Sequence, residues 1–167
     1  MTAAPGFWPF SKAVYAQEGV KEACLDLQAA GLDVNVALFI VWAIATGRDP
    51  GPVMGDVLAR SALWRSSVVQ PLREARDQLK PAPDFVDAEA AAALRKAILK
   101  SELEAERLQQ AALEPLAALC PPRSGPGRRA AATEHLGEAA HGAGAGPMAK
   151  SSIAHFVEIV FSRLENV

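Results

Sequence analysis

The chain has 167 residues, of which 50% are hydrophobic, 22% charged and only 6% aromatic, with a formal net charge of −2. That length suits one domain with a sizeable core, and abundant Ala and Leu beside few aromatic or β-branched runs favour helices over sheets. A slightly acidic chain carries no electrostatic footprint for nucleic acid, so no nucleic-acid partner is expected.

Phe7-Trp8-Pro9-Phe10 opens a first short helix, with Pro9 in the first turn, where a missing N–H costs nothing. Phe7, Phe10 and Val14 share a face that reads as an anchor onto a core, flanked by Trp8 and Tyr15. A second helix over residues 20–30 repeats apolar positions at Val20, Ala23, Cys24 and Leu27, and Gly31 is its C′ residue. The stretch over residues 34–45 has Asn35 as its single polar side chain. A helix there is apolar on every side and belongs at the centre of the fold, with Asp33 as its cap. At about twelve residues this run falls short of the ~20 that span a bilayer, and no secretory signal pattern opens the sequence. A cytoplasmic protein without a membrane span is expected.

Residues 53–80 read as a long helix with a kink or break just before Pro71, which cannot donate to the carbonyl four residues back. Asp87 caps a further long helix running to about residue 119. Its inner side is expected along Ala90, Leu94, Ala97, Ile98, Ser101, Ala105, Leu108, Ala112 and Leu116, with the charged residues outward. A short connector sets these two long helices antiparallel. Residues 120–148 are rich in Ala, Gly and Pro and read as a flexible linker, with a transient helical turn over Ala130 to Ala140. Residues 149–167 form an amphipathic helix with Ile153, Phe156, Val157, Val160, Phe161 and Leu164 on one stripe. The predicted architecture is all-α: a compact helical bundle around a central apolar helix within a domain over residues 7–119, two long antiparallel helices, and a linker-tethered C-terminal helix.

No catalytic or nucleotide motif stands out. Cys24 and Cys120 are far apart and read as reduced thiols. Glu138 and His141 have the Glu-x-x-His spacing of di-iron bundles, but no second copy accompanies them, so no metal and no cofactor are expected. The charges of interest are Arg65, Arg73 and Arg76 on one long helix and Glu102, Glu104 and Glu106 on the next. Antiparallel packing sets guanidinium forks opposite carboxylates. Such an array either fixes helix register or builds an anion or carboxylate pocket near Asn35 and Trp64. Asn35, inside an apolar helix, demands a buried polar partner. The candidate pocket or polar network is therefore Asn35, Trp64, Arg73, Arg76, Glu102 and Glu106.

Several ordered blocks carry a resemblance: Trp8-Pro9-Phe10-Ser11-Lys12-Ala13-Val14-Tyr15, the segment from Gly19 to Gln28, Leu32 to Trp42, Trp64 to Arg76, and Lys100 to Arg107. Over residues 7–119 the chain resembles a family of uncharacterised short proteobacterial proteins. The resemblance implies an all-helical domain and supplies no activity. Two functions stand open. One is a non-enzymatic cytoplasmic adaptor or assembly factor that binds a protein partner, or a second copy of itself, through the C-terminal helix. The other is a small-molecule-binding protein or cofactor-dependent enzyme using the Arg/Glu/Asn pocket. The absence of catalytic signals and the tethered amphipathic helix favour the first.

Overall fold

Asp33 fixes where the central helix begins: its Oδ1 accepts the backbone N–H of Asn35 at 2.8 Å and of Val36 at 3.3 Å. The computed structural model describes residues 5–125 and 127–164. Pro126 of the expected linker and residues 165–167 of the expected C-terminal segment lie outside the described residues. Two short helices, α1 (Phe7–Tyr15) and α2 (Val20–Ala29), precede the central α3 (Val34–Ala45). Gly31, at φ +97°, closes α2: its N–H bonds the carbonyl of Gln28, and the N–H of Leu32 bonds that of Leu27, each at 3.0 Å. In α3 every residue from Asn35 to Ile44 is buried. Phe7 stacks on Trp42 with centroids 5.0 Å apart and meets Phe39 edge-on at 5.7 Å, so the first helix anchors on the central one.

A 3-10 turn (Gly51–Val53) leads into α4 (Met54–Trp64), which continues through a π turn (Arg65–Val69) into α5 (Gln70–Gln78). The break expected before Pro71 takes this form. Pro71 leaves the carbonyl of Ser67 without its usual donor, and the N–H of Gln70 instead reaches five residues back to Arg65. Widening the turn has a second effect. Val57, Ser61, Arg65, Val69 and Arg73 recur every fourth residue, a spacing that drifts by about 40° per step on a straight α-helix. The wider turn offsets part of that drift, so Val69 stays buried and Arg73 stays turned toward the next helix.

That helix is α6 (Ala88–Leu113), capped by Asp87, whose carboxylate accepts the N–H of Ala90 at 2.8 Å, and followed by a 3-10 segment (Glu114–Leu119). Its rotation differs from expectation. The buried positions are Ala91, Glu102, Ala105, Gln109, Gln110 and Leu113, while Leu94 and Leu108 face out. Of the expected inner stripe Ala105 and Leu116 are buried, but the rest of the seam is partly polar, with arginines and Asn35 on the other side, so hydropathy alone misplaces it.

The expected flexible linker over residues 120–148 also needs correction. The backbone N–H of Asp49 bonds the carbonyl of Pro121 at 2.9 Å, and that of Arg123 bonds Gly47 at 2.8 Å, pinning the segment to the turn after α3. Residues Arg128–Gly142 then form α7, whose Ala131, Ala132, Leu136, Ala139 and Ala140 are buried against α3 and the last helix, α8 (Ala149–Leu164). Alanine's helix propensity decides the local structure, and its small side chain lets helices approach closely. The stripe of α8 is covered by its own chain: Ile153, Phe156, Val157, Val160 and Phe161 are buried among α2 and α7. It is therefore not an open face awaiting a partner or a second copy. The chain is all-helical, with no strand among the described residues, and no described helix is long and apolar enough to cross a membrane.

Candidate functional site

The six candidate residues divide into two groups. Trp64, Arg76 and Glu102 build the joint between the long helices. Trp64 donates its indole N–H to the carbonyl of Ala105 at 2.9 Å, tying α4 to α6. Glu102, with a side chain only 5% exposed, accepts from Arg73 Nε at 2.8 Å and from Arg76 Nη1 at 2.7 Å. Both its oxygens are thereby occupied in a charge-assisted cluster.

Asn35, Arg73 and Glu106 instead line a cavity of about 460 Å³ enclosed by α1, α2, the start of α3, the π turn, α5 and α6. Its rim is open to solvent, since Leu25 is 51% and Leu103 53% exposed. Leu38, Val69 and Trp8 continue an apolar wall inward.

The floor is a row of side-chain amides with no periodic or motif signature in the sequence. Gln109 donates Nε2 to Asp33 Oδ2 at 3.1 Å; Asn35 donates Nδ2 to Gln109 Oε1 at 2.8 Å; Gln110 donates Nε2 to Asn35 Oδ1 at 2.7 Å. A carboxylate only accepts, so Asp33 dictates the orientation of each amide in turn. The row ends at Gln110 Oε1, buried and without a hydrogen-bond partner among the described residues, as is Ser11 Oγ; both residues line the cavity. Orphaned buried polar atoms are rare and costly. The demand for a partner to Asn35 was legible; the identity of Gln109 and Gln110, two polar residues on an otherwise unremarked turn of α6, was not.

Three ionisable groups around the cavity are displaced by their surroundings. Burial pushes the Cys24 thiol up to about 12, so it stays protonated at neutral pH and acts as a neutral wall. Burial also raises Tyr15, with Cys24, Glu106 and Glu22 adding to the effect. Glu106 is raised chiefly by burial; Arg73 pulls it back down, while Glu102 and Asp33 push it further up. A raised carboxyl favours the protonated fold. That stabilisation is complete below the ordinary value near 4.5 and is lost as pH rises through the elevated one. Glu106→Gln is therefore expected to gain stability relative to the native chain as pH rises across that window, measured by urea unfolding at stepped pH. A constant difference at every pH refutes it.

Elsewhere, Cys24 and Cys120 are both free thiols. His135 lies 3.3 Å from Asp49 and 3.4 Å from Glu138, linking α7 to the turn after α3. Among the described residues no group of three or more His, Cys, Asp or Glu side chains is placed to hold a metal ion.

Residues 6–113 match the model of a family described as "Protein of unknown function (DUF2390)". That span runs from the start of α1 to the end of α6 and contains every residue lining the cavity, whereas α7 and α8 lie outside it. No curated protein and no solved structure matches the chain.

Proposed function

The chain belongs to this family of unknown function, and we propose that it is a small-molecule-binding helical protein that takes an amphiphilic ligand in the cavity beside Asn35. One observation carries the reading: an open cavity of about 460 Å³ with a mostly apolar wall, lined by Gln110 and Ser11, each of which has a buried, unpaired polar atom. Ligand sites have this form, with a volume of roughly 300–1,000 Å³, mostly apolar lining and a few convergent polar groups.

A neutral fluorescent probe, N-phenyl-1-naphthylamine, tests it. Saturable fluorescence enhancement with one probe per chain is expected, together with a higher Tm. Ala16→Trp and Leu103→Trp fill the exposed rim without touching the core, and each is expected to weaken binding several-fold. Probe binding that both variants leave unchanged places the probe elsewhere and removes the proposal.

A protein-partner role keeps one supporting observation, the exposed Leu94, Leu99 and Leu108 on α6. Aspartate at all three positions abolishing recovery of a stoichiometric partner from native extract is the result that reading requires.

A further inference from the structure

Arg65 occupies a position unlike that of the other arginines on its helix. It lies in the π turn and lines both the cavity beside Asn35 and a second one of about 530 Å³, on whose wall Leu32 and Asp33 also appear. Its guanidinium makes no hydrogen bond or ion pair among the described residues, whereas Arg73 and Arg76 are committed to Glu102 and Glu106. One turn earlier on the same face, Ser61 is 2% exposed, its Oγ has no hydrogen-bond partner, and it lines the second cavity. The nearby carboxylates each already accept from the protein. Asp33 accepts from two backbone N–H groups and from Gln109, and Glu106 accepts from Arg73. Of the two charged side chains that line both cavities, Asp33 is hydrogen-bonded and Arg65 is not, so the unpartnered charge at their junction is positive.

We infer that the ligand is an amphiphilic carboxylate whose head is held at this junction by the Arg65 fork and the Ser61 hydroxyl, with its apolar body in the cavity beside Asn35. The inference rests on the small-molecule reading above and adds the chemistry of the head. A planar carboxylate suits a guanidinium because two parallel N–H donors meet two oxygens. Leu38, Val69 and Leu103 supply the surface for an alkyl or aryl body. The π turn contributes both Arg65 and Val69, so a single local distortion furnishes head and body contacts together.

The test compares three probes with the same chain length, laurate, dodecanol and dodecyltrimethylammonium, by displacement of N-phenyl-1-naphthylamine from the intact protein and from Arg65→Gln and Arg65→Lys. Laurate is expected to bind about ten-fold tighter than dodecanol, with the cation weakest. Arg65→Gln is expected to remove that advantage without changing dodecanol, and Arg65→Lys to restore part of it. The Arg65 side chain makes no hydrogen bond or ion pair among the described residues, and Gln and Lys keep most of its apolar stem, so both variants should unfold within a few degrees of the native Tm. If dodecanol matches laurate, or if Arg65→Gln keeps the native preference, the carboxylate assignment is overturned while the cavity reading stands. If neither the naphthylamine nor any of the three binds, both fall.

Discussion

A chain ending at Arg123, without α7 and α8, is expected to show no cooperative thermal transition. The two helices bring Leu136, Ile153, Phe156, Val160 and Phe161 into the core, each at most 3% exposed. At about 1.5–3 kcal/mol for each fully buried side chain, their loss rivals the ~5–15 kcal/mol of net stability typical of a whole domain. The remaining helices would also expose the faces of α2 and α3 that α7 and α8 now cover. Circular dichroism on heating, with 1-anilinonaphthalene-8-sulfonate to report exposed apolar surface, distinguishes the cases. A sharp transition within a few degrees of the full chain shows that the chain up to Arg123, which contains the family-matched residues 6–113, carries a complete core without α7 and α8.

Glu102→Gln is expected to cost about 3 kcal/mol in urea unfolding at neutral pH, near the lower end for breaking one side of a buried ion pair. The low end applies because Arg73 and Arg76 keep 21% and 19% side-chain exposure and so retain some hydration. The amide would turn an N–H toward one guanidinium and leave two cations without their shared counter-ion. Glu106→Gln, one turn along the same helix, is the control: it accepts a single bond from Arg73 and is penalised by its own burial. A loss under about 1 kcal/mol for Glu102→Gln makes the cluster a surface network of the ordinary, weak kind.

Much of the helical layout is legible in the sequence. Asp33, Gly31 and Asp87 mark helix boundaries through local hydrogen bonding that depends on a few neighbouring residues. The apolar run in α3 leaves no face for solvent, so its central place follows from composition alone. Two elements resisted. In α7 the apolar residues are alanines flanked by Gly and Pro, which resembles linker composition; only the neighbouring helices show that small residues were wanted there. In α6 the inward seam includes Glu102 and Gln109 beside the expected Ala105, so ranking faces by hydropathy finds only part of it. The site followed the same division. Asn35, Arg73 and Glu106 drew attention as charged or polar groups in apolar surroundings, while Gln110 and Ser11 acquire meaning only from the cavity they line. Arg65 was noticed for its charge, but its lack of a partner is a property of three dimensions.

The amide row beneath the cavity stores a choice. Three side-chain amides in a line have two settings of nearly equal energy, related by flipping every group at once, and an isolated row would sample both. Asp33 breaks that symmetry because it can only accept, so it acts as a pole to which the row is magnetised. Reversing the pole reverses the far end: with a donor in place of Asp33 the terminal group of Gln110 would present N–H instead of oxygen. The polarity of the buried amide beside the cavity is thus written at the other end of the row, by the residue that also starts the central helix.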